Sequence, residues 1–541
     1  MCRFGLLFFL VLAAAAQDLT GRFDDIARAR ADAGQFMGNV LIAKGDKAIF
    51  EKSYGLANME WNVPNTVDGK FRIGSVTKQF TAACILLLEE RAKLKTDDAV
   101  SKYVPNAPAA WAKISIDHLL THTSGIPNFT SFPEYQRFQA EPTTPEKLLA
   151  FFRDKPLEFE PGSKWNYSNS GYEVLGYIIE KVTGQSYQQF LQENIFKPLE
   201  MKDSGYDSNS RVIPHHAYGY TPGPQGITDA GYVDMTVPYA AGGLYSTTGD
   251  LLKWQNGLYG GRVLTPASLE KMTRPFRNDY GCGLFISTVN GHKRMEHGGG
   301  IQGFNSELVY WPDEKMTIVV LANLNGNGPS SIAQDLAATV HGEKITLPGE
   351  RKEITLTPEQ LQQFVGRYSL TPTIHADITL EGDQLYTQLT GQPRFPLFAE
   401  SPTSFFLKVV DAQVTFHKDA SGKVTELTIH QGGRDTVAKK ISDTAPAAPE
   451  HHEISVAPEK LKEYTGSYAL APGFTLTVTL EGDHLEAQAT NQPKVPIFAE
   501  APDKFFYKVV DAQLDFTRDA SGAVTQVALH QGGRDMTGKK Q

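Results

Sequence analysis

The chain has 541 residues, of which 41% are hydrophobic and 21% charged, and its formal net charge is −9. One hydrophobic core does not support this length, so we expect about two to four domains. The acidic balance provides no general phosphate-binding surface, so no nucleic-acid partner is predicted. Three cysteines in so long a chain exclude a disulfide framework, and no C-x-x-C pair indicates a structural zinc or thiol-redox site.

The first sixteen residues have the pattern of a secretory signal peptide. Arg3 precedes an apolar run from Gly5 to Ala16, and small residues come just before Gln17. The run is too short to predict a membrane span, although an uncleaved anchor stays open as an alternative. We therefore expect cleavage after Ala16, a periplasmic or secreted protein, and no stable membrane insertion beyond this peptide.

Residues 17–347 are predicted to form one α+β domain, because strand and helix periodicities occur in separate segments. Strand patterns from both ends of this stretch would pair in one antiparallel sheet, with helices flanking it. The predicted strands are 38–43, 48–54, 294–297, 306–311 and 316–322. The clearest predicted helices are 76–90, 172–183 and 330–341.

The C-terminal part contains an internal repeat with a constant offset of 100 residues. Residues 408–413, 419–422 and 430–435 recur as 508–513, 519–522 and 530–535. Alternating apolar residues and turn pairs predict antiparallel β structure, and copies this short close most simply as barrels of about eight strands. We therefore predict two small β-barrel domains, repeat 1 at 348–441 and repeat 2 at 454–541, joined by a Pro/Ala-rich linker at 442–453.

The sequence Ser75-Val-Thr-Lys78 is the first candidate catalytic motif. It opens an apolar helical run, where the unpaired backbone N–H groups and the helix dipole favour negative charge. The spacing of three places both side chains on one helix face, so a partly buried Lys78 could accept the proton of Ser75. The same spacing recurs at Ser268-Leu-Glu-Lys271, so chance is a serious alternative for this motif alone.

Tyr167-Ser-Asn169 is the second motif. A tyrosine hydroxyl beside a nucleophile can move a proton to a leaving group, and an asparagine amide can bind a substrate carbonyl. The alternative is an ordinary turn after Trp165, since Asn and Ser favour turns.

The third motif, His297-Gly-Gly-Gly300, follows a predicted strand. Glycines such as Gly299 and Gly300 let a substrate backbone approach closely and leave N–H groups for an oxyanion. His297 could donate a proton or hold a carboxylate. A Gly-rich turn is the alternative, as predicted for the His-x-Gly sequences at His430 and His530 inside the repeats.

Taken together, the three motifs resemble the S-x-x-K, Y-x-N and K/H-x-G set of class C β-lactamases, D-aminopeptidases and related esterases, the penicillin-recognising serine hydrolases. The resemblance covers about residues 30–340 and includes the segments 71–75, 118–126, 161–169, 171–172 and 241–247. It implies a β-lactamase/transpeptidase-like fold with Ser75 as acylated nucleophile, Lys78 as base and Tyr167 in proton transfer. It also implies substrate binding by Asn169 and Gly299, and an oxyanion hole of the Ser75 and Gly300 N–H groups.

One departure from this group concerns substrate choice. The class C enzymes carry Lys where this chain has His297, and Lys is a permanent cation suited to the β-lactam carboxylate. Histidine at this place, followed by two β-domains, is similar to the D-aminopeptidase arrangement. The resemblance thus implies less efficient β-lactam hydrolysis.

We therefore predict a serine hydrolase acting on D-amino-acid peptides, small esters or β-lactams, with peptidoglycan-derived peptides among the candidates. One alternative is a penicillin-binding sensor that is acylated with little turnover. Another is a non-catalytic protein that binds or oligomerises through its repeats, and oligomerisation through them stays open in every case. No cofactor and no metal are predicted, because His118-Leu-Leu-Thr-His122 lacks the glutamate of zinc proteases.

Overall fold

The computed structural model describes residues 19–223, 226–408, 412–431, 434–445, 451–471, 474–490, 494–508, 512–531 and 534–541. The predicted signal peptide lies outside these ranges, as do residues 409–411, 432–433, 509–511 and 532–533 of the repeated motifs. The chain divides into two compact units, Met1–Leu347 and Pro348–Gln541. Every helix in the described ranges is too short or too polar to cross a bilayer.

The first unit contains a six-stranded sheet in which all neighbouring strands are antiparallel, in the order β10-β11-β12-β13-β1-β2. Its strands are β1 (Gly38–Lys44), β2 (Lys47–Tyr54), β10 (Phe285–Val289), β11 (His292–Ile301), β12 (Phe304–Trp311) and β13 (Met316–Ala322). Short strands lie between, namely β3 (Leu56–Asn58), β4 (Val63–Pro64), β5 (Phe71–Arg72), β6 (Gly205–Tyr206), β7 (Tyr220–Gly223), β8 (Gly226–Asp229) and β9 (Leu244–Ser246). The predicted pairing of strands from the two ends of residues 17–347 is confirmed, since β1 pairs with β13. Strand β10 was not predicted.

Helices cover both faces of this sheet. They are α1 (19–32), α2 (Thr77–Glu90), α3 (Ile116–Leu120), α4 (Tyr135–Phe138), α5 (Pro145–Phe152), α6 (Asn169–Thr183), α7 (Tyr187–Leu191), α8 (Tyr239–Gly242), α9 (Thr248–Tyr259), α10 (Pro266–Met272) and α11 (Gly328–Val340). Val40 and Ile42 of β1 pack in the cluster formed with α1 and α11, while Leu41 and Ala43 face the larger cluster formed with α2 and α6. Because strand side chains alternate between faces, a strand buried on both faces is apolar throughout.

Helix α2 occupies the centre of the larger cluster. Its residues from Thr77 to Leu88 are all buried, which is the pattern of a helix surrounded by protein on every side. Cys84 on this helix and Cys282 are both buried free thiols. The helix start, and with it the first motif, is therefore fixed by core packing.

The second unit contains two closed eight-stranded antiparallel barrels, as predicted. Helix α12 (Pro358–Gln362) precedes barrel 1, with strands β14 (Gly366–Ser369), β15 (His375–Glu381), β16 (Gln384–Leu389), β17 (Arg394–Ala399), β18 (Ser404–Phe406), β19 (Ala412–Lys418), β20 (Val424–Gln431) and β21 (Arg434–Ser442). Helix α13 (Pro458–Leu461) precedes barrel 2, with strands β22 (Gly466–Ala471), β23 (Phe474–Glu481), β24 (His484–Ala489), β25 (Val495–Ala501), β26 (Lys504–Tyr507), β27 (Ala512–Arg518), β28 (Val524–Gln531) and β29 (Arg534–Lys540). Closure pairs the first strand of each barrel with its last, which removes the exposed sheet edges.

The two barrels have equivalent cores at the 100-residue offset. Tyr368, Phe405 and Phe416 are buried in barrel 1, and Tyr468, Phe505 and Phe516 in barrel 2. His430 of β20 bonds to Asp435 of β21, and His530 of β28 bonds to Asp535 of β29.

Candidate active site

Ser75 lies in a single 3-10 turn, Gly74–Val76, which leads directly into α2. Gly74 has a φ of +49°, and a Cβ at this position would lie 2.7 Å from the backbone nitrogen of Gly300. Position 74 therefore requires glycine both for its left-handed backbone and for the close approach of β11. This turn holds the Ser75 hydroxyl beside the glycine-rich end of β11.

Lys78 is fully buried one turn after Ser75. Its Nζ lies 2.9 Å from Ser75 Oγ, 2.9 Å from Asn169 Oδ1 and 2.8 Å from the carbonyl oxygen of Ala241. Burial lowers the pKa of Lys78 to about 7, and the nearby Glu173 carboxyl acts in the opposite direction. A neutral amine can donate its two N–H groups to Asn169 and Ala241, which leaves its lone pair for the Ser75 proton. The arrangement can therefore supply a base at neutral pH.

Asn169 begins α6 and connects Lys78 to a nearby loop. Its Oδ1 accepts from Lys78, while its Nδ2 donates to Asn128 Oδ1 at 3.2 Å and to Thr130 Oγ1 at 3.3 Å. Asn128 Oδ1 also accepts from the backbone N–H of Asn169 at 3.0 Å. Asn128 and Thr130 were not predicted, since short polar loop residues carry no spacing that indicates this contact.

Tyr167 is partly buried beside the nucleophile, where its hydroxyl contacts that of Ser75. Its ring centre lies 4.9 Å from Lys78 Nζ and 4.3 Å from the ring centre of His122. Burial raises the pKa of Tyr167, and the Ser75 hydroxyl opposes that shift. The phenol is therefore protonated at neutral pH and available for proton transfer.

His297 is held in a neutral form. Its Nδ1 lies 2.6 Å from the carbonyl oxygen of Gly298, and its Nε2 lies 3.2 Å from the Tyr280 hydroxyl. Burial first, and the charge of Lys78 second, lower the pKa of His297 to about 3. Because Nδ1–H donates to the Gly298 carbonyl oxygen, Nε2 accepts a hydrogen bond from the Tyr280 hydroxyl. The structure thus places His297 near Tyr167, with a ring separation of 6.2 Å, but without positive charge.

Gly299 and Gly300 bring β11 against the nucleophile turn. A Cβ at Gly299 would lie 2.0 Å from the carbonyl oxygen of Ile73, which accepts the Ser306 hydroxyl at 2.8 Å. Only glycine permits this crossing. Gly300 lines the same cavity as Ser75, whereas Gly299 faces the backbone just before the turn.

A cavity of about 410 Å³ opens beside Ser75. Among the described residues, its lining consists of Gly74, Ser75, Phe129, Thr130, Tyr135, Asn169, Glu173, Val233, Pro238, Ala241, Gly242, Gly300, Ile301, Gln302 and Asn325. Ser75, Asn169 and Gly300 from the three motifs therefore meet at one cavity. Lys78 and His297 are buried near these residues, whereas Tyr167 is only partly buried.

Glu173 is a buried carboxyl at this cavity that the motif analysis missed. Its Oε2 accepts from the backbone N–H of Ala240 at 3.1 Å, and its Oε1 has no hydrogen-bond partner among the described residues. Burial raises the pKa of Glu173 well above its usual value, and Lys78 opposes that shift. Its position four residues after Asn169 puts both on one face of α6, a spacing that could have revealed it.

The motif-like sequences outside the site have other contacts. Lys271 donates to Glu89 Oε2 at 3.0 Å, and Ser268 accepts from Thr265 at 3.3 Å, so this second S-x-x-K pair is occupied by structural bonds. His118 Nδ1 accepts from the backbone N–H of Ser115 at 3.2 Å in the capping box of α3. His122 Nδ1 accepts from the backbone N–H of Ser168 at 3.2 Å, which fixes the loop before Asn169.

Comparison with known proteins identifies both parts of the chain. The family described as Beta-lactamase matches residues 23–370, and the family described as Domain of unknown function (DUF3471) matches residues 350–442 and 450–540. Penicillin-binding protein 4* of Bacillus subtilis (strain 168) is 30% identical over 409 residues, which cover 71% of this chain and 90% of that protein.

Two solved structures share the fold. The octameric penicillin-binding protein homologue from Pyrococcus abyssi is 27% identical, with a TM-score of 0.56 over 77% of this chain and 99% of that one. The D-amino acid amidase from Ochrobactrum anthropi SV3 is 26% identical, with a TM-score of 0.53 over 60% of this chain and 99% of that one. The predicted fold and enzyme class are confirmed. The chain belongs to the beta-lactamase family of penicillin-recognising serine hydrolases.

Proposed function

We propose that this chain is an exported hydrolase that forms an acyl-Ser75 intermediate with amides or esters of D-amino acids, in preference to β-lactams. The distance of 2.9 Å between the buried Lys78 amine and Ser75 Oγ carries this proposal, because it couples a nucleophile to a base with a pKa near neutrality. D-amino-acid peptides, including peptidoglycan-derived ones, and small esters are the proposed substrates.

In the first step, neutral Lys78 accepts the Ser75 proton while Oγ forms a bond to the substrate carbonyl carbon. The carbonyl electron pair moves to its oxygen, which accepts hydrogen bonds from the backbone N–H groups of Ser75 and Gly300. Collapse then breaks the bond to the leaving nitrogen, which receives a proton from Tyr167, and the Lys78 ammonium returns a proton to Tyr167. Asn169 orients the substrate beside Lys78, and water, deprotonated by the same base, releases the acyl group.

The state of His297 supports D-amides over β-lactams. Its pKa of about 3 leaves it uncharged at neutral pH, so it gives no ion pair to the carboxylate of a β-lactam. The similarity to a D-amino acid amidase points to the same substrate class. A second cavity of about 520 Å³ shares Val233 and Gln302 with the cavity beside Ser75, which favours extended, peptide-like substrates.

A penicillin-binding role with little turnover is the second candidate, because a relative at 30% identity carries that name. The acyl-enzyme lifetime separates the two functions. Mass spectrometry after addition of a penicillin would detect an adduct that persists for hours in a sensor and disappears within seconds in a hydrolase. A chain that neither forms this adduct nor hydrolyses D-alanine p-nitroanilide would be a non-catalytic binding protein.

Export and assembly are further parts of the proposal. The apolar run before Gln17 supports transport to the periplasm or the medium, and mass spectrometry of the protein recovered there should show an N-terminus after Ala16. The octameric homologue supports oligomerisation of this chain, for which the C-terminal repeats are the proposed contact region. One chain has a mass of 59.5 kDa, so light scattering should give a larger mass. A monomeric mass would contradict the proposed oligomerisation.

The decisive test compares initial rates on D-alanine p-nitroanilide and on a chromogenic cephalosporin. The wild type should hydrolyse the D-amide faster, Ser75→Ala should abolish both activities, and Ser268→Ala should preserve both. Ser268 is a matched control because it shares the spacing to a lysine but lies away from the cavity. Full activity of Ser75→Ala would exclude the acyl-serine mechanism, and a faster cephalosporin rate would exclude the preference assigned to His297.

A further inference from the structure

Two histidines and a glutamate from three separate segments meet at the edge of the first unit. His292 begins β11, Glu314 lies in the turn between β12 and β13, and His341 follows the last residue of α11. One nitrogen or oxygen from each of the three lies within 4.8 Å of the others. Imidazole and carboxylate groups in this number are the ligand set of three-ligand transition-metal sites.

Two polar atoms of this cluster have no hydrogen-bond partner among the described residues, although both are buried. They are Nε2 of His341 and Oε2 of Glu314. The His341 side chain is 10% exposed, and its Nε2 lies 3.8 Å from Glu314 Oε1. Because a buried polar atom without a partner is costly, these two atoms favour a ligand that binds both of them.

We infer that His292, Glu314 and His341 form a binding site for a divalent transition-metal ion of the Zn²⁺ class, with water in the remaining position. An ion about 2.0–2.2 Å from each ligand atom separates tetrahedral ligands by about 3.4 Å, which is close to the observed 3.8 Å gap between His341 and Glu314. The ion would cross-link β11, the β12–β13 turn and the end of α11.

Coordination requires a small rearrangement at His292. Its Nδ1 lies 2.5 Å from Glu314 Oε1, and its ring stacks on that of His341 with centres 3.9 Å apart. The bound ion replaces this hydrogen bond, and the rings turn so that both lone pairs converge. His292 can move because its side chain is 37% exposed, whereas the more deeply buried His341 supplies the fixed ligand.

The proposed site is distant from the nucleophile. His292 and Gly300 lie on the same strand, β11, eight residues apart, which corresponds to about 26 Å. The ion therefore stabilises this end of the central strands and takes no part in acyl transfer. Its presence is independent of the proposed hydrolase function, so the failure of one leaves the other intact.

Zn²⁺ and Co²⁺ titrations of the full, metal-stripped chain test the site. We expect one ion per chain, a rise in Tm of the first unit of about 3 °C at saturating Zn²⁺, and the visible absorption of four-coordinate Co²⁺. Trp311 provides a local signal, because its ring centre lies 5.7 Å from that of His341 and bound Cu²⁺ should quench its fluorescence. The quenching that is lost in Trp311→Phe is the part that comes from Cu²⁺ bound at this site.

His292→Gln, Glu314→Gln and His341→Gln should each weaken Zn²⁺ binding about 100-fold and remove the Co²⁺ absorption. His430→Gln is the matched control, since His430 also pairs with a carboxylate, Asp435, but belongs to no such three-ligand group among the described residues. It should leave binding unchanged. Circular dichroism and the Tm without added metal report whether each variant has folded. Absence of a Tm rise and of Co²⁺ absorption in the wild type, or unchanged binding in all three ligand variants, would overturn the inference.

Discussion

The hydrolase unit and the barrels differ in what they bury. The first unit encloses Lys78, Glu173 and His297, each at most 3% exposed. In the described part of residues 348–541 the buried polar side chains, tyrosines aside, are Thr428 and the ion-paired Arg351 and Lys440, which are 7% and 8% exposed. Burial of an ionisable group costs free energy unless it is compensated, so a cluster of such groups around a nucleophile indicates a site of chemistry. The contrast places the chemistry of this chain in the first unit and leaves the repeats with packed apolar interiors.

Loss of the buried base is the strongest test of this contrast. Lys78→Ala should lower kcat/KM on D-alanine p-nitroanilide about 10³-fold, because Ser75 then lacks its proton acceptor. Lys271→Ala is the control, since Lys271 has the same spacing to a serine but binds Glu89. Equal activities of the two variants would contradict the assignment of Lys78 as the catalytic base.

Alanine substitution of a glycine with positive φ should affect the rate differently in the two units, and by less than the loss of Lys78. At Gly74 an added Cβ would meet the Gly300 backbone, whereas at Gly422, with a φ of +85°, nothing lies within 4 Å. Gly74→Ala should reduce kcat/KM about 10²-fold by displacing the nucleophile turn. Gly422→Ala should cost only about 1 kcal/mol of unfolding free energy and leave the rate unchanged. Rates and urea denaturation of both variants measure the difference, and an active Gly74→Ala would contradict it.

The pH dependence tests the buried charges directly. Lys78 acts as a base only when neutral, so kcat/KM should rise with pH through about 7, the pKa of this group. The Glu173 carboxyl raises that pKa through its charge, so Glu173→Gln should move the acid limb to lower pH. Glu307 is the control, because burial raises the pKa of its carboxyl to about 7 as well. If the acid limb moved in Glu307→Gln but not in Glu173→Gln, its coupling to Glu173 would be contradicted.

The smallest effect is expected in the barrels. The buried Tyr368 and Tyr468 hydroxyls donate to the carbonyl oxygens of Phe364 at 2.8 Å and Tyr464 at 2.6 Å. Tyr368→Phe and Tyr468→Phe should each cost about 1 kcal/mol of unfolding free energy, since one buried acceptor is left unpaired. Both variants should keep the wild-type rate on D-alanine p-nitroanilide. A change in that rate would show that the repeats contribute to catalysis.

Local pattern determined much of the architecture. Period-two alternation with turn pairs specified the barrels, because a strand exposes one face and buries the other. The constant offset of 100 residues indicated that the two copies have the same fold. The spacing of three between Ser75 and Lys78 placed the pair on one face of a helix, whatever surrounds it.

Only the tertiary structure decided how these residues behave. Lys78 binds Asn169, 91 positions away, and Ala241, 163 positions away, and its pKa falls because remote segments exclude water. The neutral state of His297 likewise results from burial and the charge of Lys78. Short-range spacing determines which side chains share a face, whereas burial and charge coupling sum contributions from distant segments that only the folded chain brings together.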